Sequence, residues 1–223
     1  METRKTPSWN EVLSAFVQCS YKAYLVLASH RGRQPDIARC LTKRAKRHRR
    51  FAIEKIRKSF AKDQVFDGRT ALTEALRSRT ARLITNVVVN HEGLAVLGDA
   101  LLLEPLKRAG SMRAQVRLLV CVVEEKVSKQ QKRWAACVGH MMSRAIGIKV
   151  PTVTIFYGDP IRQTKVNTAD SLYKAASTCA ALFKVMTAGN PPKLRLNKNC
   201  SVCAFQRRCH ALAEKNDDLS HHR

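Results

Sequence analysis

Apolar positions recur at helical spacing near both ends of the chain and in short alternating or continuous runs through its middle. Ser8 followed by Glu11 forms a capping box ahead of Trp9, and Val12, Phe16, Cys19 and Ala23 share one face. This predicts a helix from Trp9 to about Ala28, broken by His30-Arg31-Gly32. The pattern is helical again from Pro35 to about Lys62 and, after an Asp67-Gly68 turn, from Thr70 to Ile84.

Beyond Ile84 the character turns to β. Asn86 to Asn90 is a β-branched run, His91-Glu92-Gly93 a turn, and Leu94 to Glu104 a second apolar run interrupted by Gly98-Asp99, so a hairpin is predicted. Gln115 to Val123 reads as a further strand ending in Glu124-Glu125-Lys126. Lys129 to Ile146 is a helix closed by Gly147. Thr152–Tyr157 and Arg162–Val166 are strands joined by Gly158-Asp159-Pro160, Ala169 to Ala188 is a helix, and Gly189-Asn190-Pro191-Pro192 leads out in extended form. The sum is a mixed α/β domain spanning 1–223: a basic helical portion (1–84), a sheet core (85–168), and a helix with a cysteine segment (169–223).

Charge changes the picture. Lys and Arg number 41 against 17 Asp and Glu, a formal +24, more than solubility requires and self-repelling unless a polyanion is near. Nucleic acid fits that role; a merely solvated surface is the plain alternative. The densest block, 43–50, is Lys, Arg or His at every position but Ala45, and Lys43, Arg44, Lys46, Arg47, Arg49 and Arg50 are the expected phosphate contacts. Neither a signal peptide nor a membrane-spanning run is visible, so a cytoplasmic protein with no membrane partner is expected. In that compartment the 8 cysteines suit metal ligation or packing better than disulfides. Cys40, Cys121, Cys137 and Cys179 stand singly in apolar or helical patterns and read as packing residues.

The other four are different. Cys200, Cys203 and Cys209 follow a C-x2-C-x5-C spacing that brings three thiolates to one point, and Cys19, at the far end of the chain, is the best fourth ligand. His210 is the alternative for a zinc site. A second constellation joins Asp99 to Glu124-x-Lys126. Two carboxylates at adjoining strand ends can hold a hard divalent cation, and a lysine on the same face can assist an attacking water.

Together the phrase Phe16-Val17-Gln18-Cys19-Ser20-Tyr21-Lys22-Ala23-Tyr24-Leu25, the Gly98-Asp99 strand, Glu124-x-Lys126, a following Gln-containing helix and the terminal C-x2-C-x-F-x3-C resemble the iron–sulfur branch of the RecB-type nucleases. That branch belongs to the PD-(D/E)xK superfamily, with AddB-type and CRISPR-adaptation nucleases. The resemblance spans essentially the whole chain and includes Phe205 and the 217–220 tail. It implies a restriction-endonuclease-like core, a small mixed sheet flanked by helices, with the terminal segments joined by a 4Fe–4S cluster on Cys19, Cys200, Cys203 and Cys209. It further implies a Mg²⁺ or Mn²⁺ site on Asp99 and a carboxylate of the Glu124/Glu125 pair (Glu124 in the E-x-K register), with Lys126 as catalytic lysine. Gln130 would match the glutamine of a Q-x3-Y motif, with Trp134 in place of the tyrosine and Gln131 as the other register.

The expected function is metal-dependent hydrolysis of DNA phosphodiester bonds, as in DNA repair, beside a helicase or further nuclease domain. The alternative is a nucleic-acid-binding protein on the same scaffold with a degenerate carboxylate centre and a structural iron–sulfur or zinc site. Two departures stand out. His30 and His48 lie outside any motif that would make them the N-terminal histidine ligand of many relatives, and strand alternation lets only one of Glu124 and Glu125 face Asp99.

Overall fold

The computed structural model describes residues 6–30, 32–33, 36–105 and 114–215, with backbone alone at 36–39, 105 and 114. The 217–220 tail lies outside the described residues. Helices α1 (Trp9–Phe16), α2 (Ser20–Leu27) and α3 (Asp36–Arg57) come first, then β1 (Val65–Asp67) and α4 (Leu72–Arg77). Strands β2 (Leu83–His91), β3 (Leu94–Pro105) and β4 (Ala114–Cys121) follow. Helix α5 (Lys129–Ile146) crosses over to β5 (Thr152–Tyr157) and β6 (Arg162–Asn167), and α6 (Leu172–Thr187) and α7 (Gln206–Lys215) close the chain.

The six strands form one mixed sheet in sequence order. β1 runs parallel to β2 and β4 parallel to β5, while β2–β3, β3–β4 and β5–β6 are antiparallel. The expected hairpin is β2–β3, turning at Glu92 and Gly93, whose φ values of 50° and 79° suit a tight reversal. Parallel β4 and β5 need a crossover, and α5 supplies it, with the bounds its pattern predicts. Its start is capped by Ser128 and Gln131, and its end by Gly147 at φ 68°, a left-handed position that favours glycine.

Helices cover both faces. On one face α1, α5 and α6 pack a large core that includes Trp9, Leu13, Leu101, Leu118, Met142, Ile155 and Leu182. On the other, Ile53 and Ile56 of α3, with Phe60, pack on Leu83, Ala100 and Leu119. A third, smaller core of Tyr21, Leu25, Leu194, Phe205, Cys209 and Ala213 joins α2 to the terminal segment.

Four expectations are corrected. The first helix is two: the Ser8–Glu11 box starts α1 as predicted, but the chain leaves the helix at Gln18 and is extended at Cys19 (φ −168°, ψ 125°). That kink turns Cys19 toward the terminal segment rather than the sheet. The helix expected over Thr70–Ile84 stops at Arg77, because the Ser78 hydroxyl accepts the Thr80 and Ala81 amides and Leu83 and Ile84 are drawn into the sheet, fully buried. Strand β4 ends at Cys121, not Val123, so Glu124-Glu125-Lys126 form a bend beyond the sheet. Cys40, expected to pack, is exposed; Cys137 and Cys179 are buried as expected and Cys121 partly so.

Candidate active site and cysteine cavity

Asp99 owes its position to a change of phase in the central hairpin. Ile84 and Val87, three apart on β2, both face the large core, which strict alternation forbids. Between them Asn86 adopts φ 53°. On β3, Gly98 abuts the same core: a Cβ there would meet the Leu118 side chain at 2.7 Å, and Leu101, three residues on, is in that core too. The break leaves Asp99 facing α3, and it explains the glycine before it.

Over Asp99 lies α3. Arg49 Nε stands 2.6 Å from Asp99 Oδ1, and the Cys121 amide donates to Oδ2. The Asp99 side chain is only 18% exposed, against 40% for Arg49. Burial pushes the Asp99 pKa above its ordinary value, and the charge of Arg49, the Cys121 hydrogen bonds and His48 pull the other way without cancelling it. The neighbouring Cys121 thiol is driven far up by burial and by the Asp99 charge, which makes it an inert thiol.

His48 also belongs here, and the sequence reading set it aside. Its Nε2 lies 3.1 Å from the Gly158 carbonyl oxygen, while its buried Nδ1 has no hydrogen-bond partner. The signal that could have found it was helical phase: Ala45, His48, Ala52 and Ile56 recur at the three- and four-residue steps of an inward face.

The two glutamates separate. Glu125 is held by Arg44 at 3.4 Å and Arg162 at 3.2 Å, and its Oε2 accepts the Asp159 amide at 3.4 Å. Its backbone carbonyl accepts a further bond from Arg162 at 2.6 Å. Glu124 and Lys126 are exposed on the same bend and have no side-chain partner among the described residues. Gln130 and Gln131 serve elsewhere: the Gln130 amide donates to the Val17 carbonyl at 2.9 Å, and Gln131 Oε1 accepts the Ser128 amide. Of the expected phosphate contacts, Lys43, Arg44, Lys46, Arg47 and Arg50 are exposed along α3, and Arg49 is the one turned inward.

Cys19, Cys200, Cys203 and Cys209 line one small cavity together with Lys22 and Arg195. A short 3-10 turn at Cys200–Val202 carries the first pair, and the Asn197 amide donates to Cys200 Sγ at 3.2 Å. The kinked strand of backbone before Cys19 is tied to this turn, since the side-chain amides of Asn197 and Asn199 both donate to the Gln18 carbonyl. Burial, then the charges of Cys203, Cys19 and Cys200, push the Cys209 thiol up to about 11. That thiol keeps its proton at neutral pH, and a metal binding there would have to displace it. His210 does not line the cavity. Among the described residues, no three His, Cys, Asp or Glu side chains are drawn together into a group that could hold a metal ion. The four cysteines share the cavity lining without forming such a group.

No helix among the described residues is long and apolar enough to cross a membrane. No family model matches the chain. No curated protein matches it. One solved structure, titled "Crystal structure of SSO0001", is similar to it at a TM-score of 0.34 and 14% identity. The likeness covers 56% of this chain and 58% of that one, so the chain spans little more than half the length of that neighbour.

Proposed function

We propose that the chain is a RecB-type nuclease that hydrolyses DNA phosphodiester bonds on a restriction-endonuclease-like core, its ends joined by a structural iron–sulfur cluster. The observation that carries the nuclease reading is a buried carboxylate, Asp99, set under a cationic helix beside the unpartnered Nδ1 of His48. The carboxylate suits a hard cation such as Mg²⁺ or Mn²⁺, and the imidazole nitrogen is a borderline donor that Mn²⁺ accepts more readily than Mg²⁺. Bound there, with Glu124 as the free carboxylate of the bend, the cation would supply an activated water and neutralise charge on the phosphate.

The residues of the chain do the rest. Lys126, beside Glu124, offers an ammonium to the charge that develops on the phosphate oxygens. Exposed Lys43, Lys46, Arg47 and Arg50 grip the backbone. Glu125, tied to both α3 and β6, holds the bend in place.

The cluster assignment rests on the shared cavity. Cysteines drawn from both ends of the chain onto one cavity supply the four thiolates that a cluster needs, and the resemblance to the iron–sulfur branch selects it over zinc. Zinc would require all four sulfurs at about 2.3 Å from one centre.

One observation favours a second reading. Arg49 already compensates Asp99 at 2.6 Å, holding the place a cation would take. In a binding-only protein that pair is permanent. Incubating anaerobically purified protein with labelled single- and double-stranded DNA, with and without Mg²⁺ or Mn²⁺, separates the two. A nuclease cleaves only with cation, and Asp99→Asn lowers the rate by about 10²-fold or more while binding survives. Intact binding with no cleavage under either cation leaves the binding-only reading standing.

A further inference from the structure

The outer face of α3 carries a residue that its packing does not require. Ala52, Ile53 and Ile56 supply the inward face. Phe51, next to Ala52 in sequence, points away and is 65% exposed. Four residues before it stands Arg47 and four after it Lys55, both exposed, each about 6 Å along the helix axis at 1.5 Å per residue. Lys58, a further turn on, continues the stripe. None of Arg47, Lys55 and Lys58 has an acidic partner recorded among the described residues. A single exposed phenylalanine is unremarkable by itself. Placed between cations on one helical stripe, in a chain of formal charge +24, it has a specific use.

Cationic side chains take the phosphates of single- and double-stranded nucleic acid alike, but only an unpaired strand offers a base face to an aromatic ring, because a duplex keeps its bases stacked inside. We infer that the outer stripe of α3 is a single-strand binding surface, with Phe51 stacking on an unpaired base and Arg47 and Lys55 taking the phosphates on either side. This rests on the reading that α3 faces nucleic acid and names the form of nucleic acid it takes. The inner face of the same helix holds Asp99 through Arg49, so one helix both grips the strand and borders the candidate centre.

The test is fluorescence anisotropy of the full-length protein with a labelled oligothymidylate and, separately, a labelled duplex of equal length, without added divalent cation so that no cleavage intervenes. Phe51→Ala should weaken single-strand binding by about 5- to 100-fold, the loss expected for one stacked base, and leave duplex binding unchanged. Phe51→Trp should restore it. Arg47→Ala with Lys55→Ala should weaken both ligands and flatten the salt dependence. Unchanged duplex binding also shows that the variant is folded, as the exposure of Phe51 leads one to expect. The stacking surface is overturned if Phe51→Ala affects neither ligand or both equally. A parent protein that binds neither ligand overturns the nucleic-acid reading beneath it as well.

Discussion

The cysteine lobe and the Asp99 face are both places where charge is brought together, yet they are held in opposite ways. The lobe has a small apolar core, Tyr21, Leu25, Leu194, Phe205, Cys209 and Ala213, and joins segments some 180 residues apart through the Asn197 and Asn199 amides on the Gln18 carbonyl. Those hydrogen bonds, at 3.3–3.4 Å and largely exposed, contribute little by themselves. Asp99, by contrast, sits on the central hairpin, backed by the large core and needing nothing bound to stay in place. A cluster bound in the lobe would carry much of that lobe's stability, whereas the Asp99 face carries its charge in spite of the cost to stability.

The largest effect follows from the lobe. Cys203→Ser, or Cys19→Ser at the other end, should abolish the brown colour of a cluster-containing protein and release both terminal segments to protease together. The melting temperature should fall by about 10 °C or more, since 1 kcal/mol is about 2–4 °C at this size and loss of a structural metal centre costs several. His210→Ala should leave the colour unchanged, because that side chain does not line the cavity. If Cys19→Ser keeps its cluster while Cys203→Ser loses it, the two ends are not stapled and the contrast collapses.

How legible each region was in the sequence follows the same division. The lobe could be read because thiol spacing is a chemical constraint: Cys200, Cys203 and Cys209 announce a site, and a missing ligand points to Cys19. The kink that delivers Cys19 could not be read, since Val12, Phe16, Cys19 and Ala23 keep helical phase straight through it. Strands β2 to β6 and α5 were legible from β-branched runs, the capping box at Ser128 and the glycine at 147, whereas the short β1 was not. Around Asp99 the sequence named the aspartate but missed its company. His48 lies in a basic block where composition masks position, and the phase break at Asn86 and Gly98 that turns Asp99 toward α3 is a property of two paired strands. The roles of Glu124 and Glu125 were left open by alternation and separated only by where Arg44 and Arg162 reach.

A middle-sized effect tests the other side of the contrast. Because burial raises the Asp99 pKa from its ordinary 3.8, the folded state holds that proton more tightly than the unfolded chain. The stabilisation is therefore full below the unfolded value and lost as pH rises through the folded one, leaving a penalty at neutral pH. Asp99→Asn removes that penalty. It also frees Arg49, which at 40% exposure can turn to water, so losing the pair costs little. The variant should melt above the parent at neutral pH, and the gap should close as pH falls toward the ordinary carboxylate range. An Asp99→Asn protein that melts lower at neutral pH would show that Arg49 outweighs burial and that the face is built for the ion pair.

The smallest effect sharpens the roles within the bend. Glu125 has three side-chain partners, but at 3.2–3.4 Å and with the carboxylate and both arginines about half exposed, such pairs contribute between nothing and about 1 kcal/mol. Glu125→Gln keeps an acceptor for the Asp159 amide and leaves untouched the 2.6 Å bond from Arg162 to the backbone carbonyl. The change in stability should stay within about 0.5 kcal/mol, read by urea denaturation. Glu124→Gln should be equally silent in stability, as its side chain has no partner among the described residues. Cleavage with saturating Mg²⁺ is where the two should part: Glu124→Gln lowers it strongly, while Glu125→Gln lowers it only as far as Arg44 and Arg162 were holding the bend. The reverse order would make Glu125 the carboxylate that turns to Asp99 and its arginine pairs a resting state.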